Sequence, residues 1–176
     1  MKYILIKIFF IILLFFLKNS LADDFDVTYT VSTSGIKIGQ FNWSLKIVDK
    51  DYITKISLQN SGFFSSVYKF KGLYKTEGKI EDKMFMAENY KQHWETRKKT
   101  KIVEMSFNKH LTGLTQTPIE QEFSRVEFRE LFKYYDPITS FLNILNGNNN
   151  VKTVDGRRVY TMTKSLDKKS NVITIK

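Results

Sequence analysis

Between Gln40 and Val48 the chain alternates without a break: Phe41, Trp43, Leu45 and Ile47 fall on one side, Gln40, Asn42, Ser44 and Lys46 on the other. A period of two places every second side chain on one face of extended backbone, so this run is a strand with one covered face. The same grammar recurs along the chain. Phe25, Val27, Tyr29 and Val31 alternate with polar residues before the turn Ser32-Thr33-Ser34-Gly35, and Ile36 to Val48 follows. Gly39 inside that run marks a bulge or a close approach of neighbouring backbone. Asp49-Lys50-Asp51 is a tight connection into Tyr52 to Leu58, where Tyr52, Thr54, Ile56 and Leu58 alternate with Ile53, Lys55 and Ser57.

Further strands are expected at Val67 to Leu73, at Ile80 to Met86 and Ala87 to Trp94 after a turn at Glu77-Gly78-Lys79, and at Ile102 to Phe107 and Leu111 to Gln116. Residues 119–134 fit neither period and are expected to be irregular. Then the grammar changes. Asp136 is a good N-cap and Pro137 suits the first helical position, where its missing N–H costs nothing. Ile138, Phe141, Leu142 and Leu145 fall at helical spacing on one apolar face, and Gly147 can take the left-handed stop. A helix over about 137–146 follows. Beyond it, Val151 to Val154 and Arg157 to Thr163 flank Asp155-Gly156, a strong hairpin signal because such turns need positive φ. Val172 to Ile175 is a last short strand.

Strands joined by short connections make an antiparallel meander. The expected fold is mainly β: a curved meander or incomplete barrel of about 8–10 strands, with one short covering helix. No linker, repeat or low-complexity segment divides it, so residues 23–176 read as one domain. Residues 1–22 read differently. Lys2 and Lys7 precede or interrupt the apolar run Ile8 to Leu17, and Ser20-Leu21-Ala22 places small residues before a cut at Asp23, as a secretory signal peptide requires. An uncleaved anchor helix is the alternative. With no cysteine there is nothing to lipidate and no disulfide, so stability must come from the core. The abundance of Lys, Asn and Ile fits an AT-rich bacterial genome, and hence a periplasmic address.

The whole chain carries a formal charge of +10; removing the three lysines of residues 1–22 leaves +7. A basic domain is drawn to phosphates, and in an exported protein those of lipids are more accessible than those of nucleic acid. The plainer reading is a soluble, lysine-rich surface. Arg97, Lys98, Lys99 and Lys101 form a basic turn that could contact anionic head groups or simply be an exposed hairpin tip. Peripheral membrane contact stays open, as does an envelope protein as partner.

Catalysis leaves little trace. His93 and His110 are the only histidines, and no metal-ligand spacing, nucleophile elbow or phosphate loop is present, so neither catalytic residues nor a cofactor is expected. Glu120, Glu122, Glu127 and Glu130 interleave with Arg125 and Arg129 as a self-paired face. One of Arg157 and Arg158 should point inward to an acid. The aromatic content of 15% is more suggestive. Trp43, Tyr52, Phe70, Tyr74, Phe85, Tyr90 and Phe141 could line a site for a lipid-like ligand, or could fill the interior solid.

The order of Tyr29, Gly35-Ile36-Lys37-Ile38-Gly39, Tyr52, Gly62, Gly72, Pro118, Asp136-Pro137 and Asp155-Gly156-Arg157-Arg158-Val159-Tyr160 resembles an exported bacterial family known as domain of unknown function 3108. The resemblance spans about Asp26 to Tyr160 and implies a periplasmic, mainly antiparallel β-protein; it brings no activity and no catalytic residues. It also implies further strands after the Asp-Gly-Arg hairpin, so an open sheet edge is expected that another chain or segment could complete. The functional expectation is a non-enzymatic envelope protein that binds an apolar or amphipathic ligand on the concave face of its sheet. The alternative is an interaction module using an open edge or the basic turn.

Overall fold

A computed structural model describes residues 22–62, 65–66, 69–108, 110–119, 130–131, 134–156, 158–167 and 172–175. Seven strands follow one another as an antiparallel meander: β1 (Ala22–Thr33), β2 (Ile36–Val48), β3 (Asp51–Asn60), β4 (Phe70–Glu81), β5 (Met84–Thr96), β6 (Thr100–Asn108) and β7 (His110–Thr117). β1 and β7 are the two edges, so the sheet is not closed into a barrel. The helix α1 (Pro137–Leu145) separates this sheet from a second one of three strands, β8 (Asn150–Asp155), β9 (Arg158–Asp167) and β10 (Val172–Ile175). The expected meander therefore divides in two. Tyr135, just before α1, bridges in parallel to Thr153 of β8, and its backbone bonds Lys152 and Val154. β8 pairs with β9 and not with β7. The segment read as a signal peptide lies outside the described residues except for Ala22, which opens β1. Among the described residues no helix is long and apolar enough to cross a membrane.

Register explains the inner face. Trp43 stands opposite Ile56, Ile56 opposite Tyr74, Tyr74 opposite Gln92 and Gln92 opposite Val103, one row across five strands. The next row runs Leu45, Thr54, Thr76, Tyr90, Met105 and Leu114. Paired residues share a face, so these rows form one continuous apolar floor. Tyr90, Val103 and Met105 of the floor are buried in one cluster with Tyr52, Ile138, Leu142 and Val154. The alternation on β2, β3 and β6 falls as the sequence dictates.

Two turns do not. Glu77-Gly78-Lys79 is no turn: Gly78 lies inside β4, at a bulge where Glu88 of β5 is the extra residue. A Cβ at Gly78 would stand 2.0 Å from the Met86 carbonyl oxygen, so this glycine marks a close approach of two strands. The reversal comes at Asp82-Lys83, where both φ are positive at 48° and 67°, joining what the sequence split differently into β4 and β5. The Asp155 hairpin forms with Asp155 opposite Arg158, so the turn opens on Gly156, φ 60°, one residue later than the dipeptide suggests.

The helix begins where expected. Asp136 caps it, accepting from the Ile138 and Thr139 amides, with Pro137 in the first turn, and Gly147 follows with φ 113°. Its buried face is a correction. Leu145 is 45% exposed, while Ile144 is fully buried together with Thr139, Ser140 and Asn143. Ile138 and Leu142 pack as read. The polar residues are buried because they bond the strands beneath, which apolar spacing alone does not reveal.

Candidate functional site

The inner face has two halves, and α1 decides which is which. Over the rows through Thr76 and Tyr52, the helix is tied to the sheet by buried hydrogen bonds. Thr76 Oγ1 donates to Asp136 Oδ1 at 2.9 Å, the atom that also takes the Ile138 and Thr139 amides at 3.0 and 3.1 Å. Tyr52 Oη and Thr139 Oγ1 are hydrogen-bonded at 2.9 Å, and Thr153 Oγ1 donates to Ser140 Oγ at 2.7 Å. Phe85 precedes the start of β6 pairing, which begins at Asn89. Its amide donates to Asn143 Oδ1 at 2.8 Å and its carbonyl accepts from Asn143 Nδ2 at 2.9 Å, so one side chain substitutes for a missing strand. Asn146 Nδ2 donates to the Lys83 carbonyl on the same stretch.

Asp136 is fully buried and forms no ion pair with a described residue. Burial pushes its carboxyl above the ordinary range, against hydrogen bonds from Thr139, Thr76 and Ile138 that favour the charged form. Burial, and secondarily the Asp136 charge, also drives Tyr52 well above a normal phenol. Tyr90 rises for the same first reason, with Asp155 and Asp136 adding to it. These are structural groups in a filled interior: Tyr52, Phe85 and Tyr90 are 1%, 8% and 2% exposed, and the Tyr52 and Phe85 rings meet edge-on at 5.0 Å.

Trp43 marks the seam. Its ring lies 5.4 Å from Phe141 of α1 on one side and 4.9 Å from Phe25 of β1 on the other, and Nε1 donates to Thr54 Oγ1 at 3.0 Å. One row further, through Phe41, Leu58 and Gly72, the floor continues beyond these helix contacts. A cleft of about 360 Å³ opens there, lined chiefly by Val31, Ile38, Gly39, Leu58, Asn60 and Phe70. That volume lies within the ~300–1,000 Å³ of small-molecule sites, and its walls are mostly apolar. Gly39 shapes it: a Cβ would sit 2.7 Å from the Gln59 carbonyl oxygen, and the adjoining bulge puts Ile38 as an extra residue opposite Val31 and Ser32.

The seven aromatics nominated from sequence thus occupy three settings. Tyr52, Phe85 and Tyr90 are core; Trp43, Tyr74 and Phe141 are half-buried; Phe70 alone lines the cleft. Val31, Ile38 and Leu58 were missed. Their signal was Gly39 beside a turn, with apolar alternation running on to the strand ends. Arg97, Lys98 and Lys99 are exposed in the β5–β6 turn, where the Lys98 and Lys99 amides donate to Thr96 Oγ1 and Arg97 Nη2 donates to the Ser66 carbonyl. Lys101 is half-buried in β6. The turn lies at the cleft's end of the sheet, since Thr96 pairs with Phe70. His93 stands half-buried on the outer face between Leu73 and Ile102, and His110 is exposed. Arg158 is exposed; Arg157 and the acid-and-arginine run from Glu120 to Arg129 lie outside the described residues, where Glu130 is exposed. Among the described residues no group of three or more metal-ligating side chains converges.

The sequence profile of the family described as Protein of unknown function (DUF3108) matches residues 24–175. The chain belongs to that family. The match begins within β1 and ends within β10, so it takes in both sheets and the helix between them. No curated protein and no solved structure matches the chain.

Proposed function

We propose that this member of the family is a non-enzymatic protein of the bacterial periplasm that binds an apolar or amphipathic, lipid-like ligand at the open end of its inner face. The observation that carries this reading is the cleft walled by Val31, Ile38, Leu58 and Phe70, an apolar concavity one row beyond the point where α1 stops filling the floor. A folded chain leaves such surface uncovered at a cost of roughly 25 cal/mol per Å². A bound acyl chain removes that cost. The interior beneath α1, where the ligand was first expected, is filled by Ile138, Leu142 and Tyr52, so the reading rests on the end of the sheet alone.

Native mass spectrometry with lipid extraction of the processed protein tests it. The expected result is a co-purifying lipid or fatty acid on the native protein and none on Leu58→Trp, whose indole fills the cleft, with circular dichroism unchanged. A protein that carries no such ligand, or a Leu58→Trp variant that carries it at the same stoichiometry, overturns the reading. Export is tested on the same sample: an intact mass beginning at Asp23 in a periplasmic fraction is expected, and a cytoplasmic chain retaining residues 1–22 refutes it.

A second reading has its own observation. β1 is a twelve-residue edge strand whose Val27-Thr28-Tyr29-Thr30-Val31 stretch carries no charge or proline. Such an edge can accept a strand from another envelope protein. Photo-crosslinking from Thr30 in cells is expected to trap one defined partner under this reading; a featureless ladder of products sinks it.

A further inference from the structure

We infer that the end of the long sheet bearing the β1–β2 and β5–β6 turns docks on an anionic lipid bilayer. This inference goes beyond the ligand reading and stands on different residues, although both use the same end of the sheet. Three independent features meet there.

The first is charge. Strand order and register bring Lys37, Lys71, Arg97, Lys98 and Lys99 to this end, all exposed. Glu95, the acid among the described residues of these turns and adjoining strand ends, is bonded to Lys69 at 3.0 Å, and that hydrogen bond and charge hold it below the usual carboxylate range. The opposite end carries Asp24, Asp49, Asp51, Glu81 and Asp82 among its lysines.

The second is pairing. Three lysines away from this end are matched: Lys75 with Glu77 at 2.5 Å, Lys79 with Glu88 at 3.0 Å and Lys91 with Glu104 at 2.6 Å. None of Lys37, Lys71, Lys98 and Lys99 forms an ion pair with a described residue. Lys71 stands opposite Glu95 in the register, so the charge most open to an outside partner is that of Lys37, Lys98 and Lys99.

The third is apolar exposure. Ile119, two residues past β7, is 77% exposed, and Ile36, at the β1–β2 turn, is 55% exposed. No other large hydrophobic exposed among the described residues exceeds them. Isoleucine at a tip flanked by lysines is the pattern of an interfacial surface: the apolar side chains enter the boundary of the acyl region while lysine stems reach back so that their ammonium groups meet lipid phosphates. Nucleic acid would use the charges and leave the isoleucines in water. A bilayer carrying anionic lipid uses both.

Sedimentation with vesicles tests this on the protein as cells process it. Vesicles of phosphatidylcholine with one-third phosphatidylglycerol should carry the protein down, pure phosphatidylcholine should not, and high salt should weaken the binding. The double reversal Lys98→Glu/Lys99→Glu is expected to lower affinity about tenfold or more, since each basic residue near an anionic surface contributes about 1 kcal/mol. Ile36→Asp should lower it as well, while Lys75→Glu, on the paired middle of the sheet, should not. Thermal unfolding of each variant shows that the fold is kept. Failure to sediment with anionic vesicles, or equal sedimentation with both kinds, overturns the inference. So does an Ile36→Asp variant that binds like the native protein, which would reduce the surface to charge adsorption. Leu58→Trp fills the cleft and leaves this surface intact; its unchanged vesicle binding would separate the two readings.

Discussion

The two halves of the inner face are built from the same kinds of residue and end differently. Under α1, Tyr52 and Tyr90 are almost wholly buried; past Trp43, the next rows expose Tyr29 to 51% and Val31 to 37%. Each half is an apolar side of the same antiparallel sheet. What separates them is the edge position of β1 together with distance from α1, which reaches the sheet through contacts 58 to 87 residues away in sequence. A hydrophobic strand face is therefore a requirement for a cover, and among the described residues α1 covers one half of it.

The sharpest way to break this comparison is to cut matched holes in the two halves. Ile144→Ala, in the filled half, is expected to cost about 2–5 kcal/mol in urea unfolding. Next is Asn143→Ala, which strands the amide and carbonyl of Phe85, at about 1–3 kcal/mol for each group left unsatisfied. Leu58→Ala, at the open cleft, should cost less than half of what Ile144→Ala does, because the removed atoms already face solvent on one side. Equal losses for Ile144 and Leu58 would show that the far half is covered too.

A smaller signal lies in pH. Burial raises the Asp136 carboxyl in the folded state above its unfolded value of 3.8. Its contribution to stability is complete below that value and is lost as pH rises through the folded pKa. Asp136→Asn keeps a capping oxygen without a charge, so its stability relative to the native protein should increase as pH is raised from below 3.8 and then level off. A variant whose stability difference is the same at every pH would remove Asp136 from the titration. Smallest of all, Ile36→Ala at the tip should leave stability within about 0.5 kcal/mol, since that side chain contributes little to the fold.

Much of the architecture was legible because it is local. Alternation located the floor of the sheet, and Asp136-Pro137 located the helix start to the residue. The failures share a cause. Gly78 looked like a turn because a glycine demanded by a neighbouring backbone and a glycine demanded by positive φ are identical in a sequence. Asn143 gives no sign of its role in the helical spacing because that role is set by Phe85, a β5 residue that β6 ends too soon to pair. The aromatic list spreads over core, half-buried seam and cleft because ring content says how much apolar surface exists, and the helix position decides which part stays open. Arg97, Lys98 and Lys99 were named correctly as exposed, yet their nearness to Phe70 follows only from the β4–β5 register.

The direction of β1 sets an order of events. Ala22 pairs with Val48, at the end of the sheet away from the basic tip, and twelve extended residues separate it from Thr33 by about 40 Å. A chain still tethered to a membrane through the residues before Ala22 would present the end of mixed charge to that membrane and hold the lysine and isoleucine tip off it. Tether and dock are thus opposed poles of one strand. On the reading of residues 1–22 as a leader, its release would let the molecule turn over and meet the same bilayer from its other end.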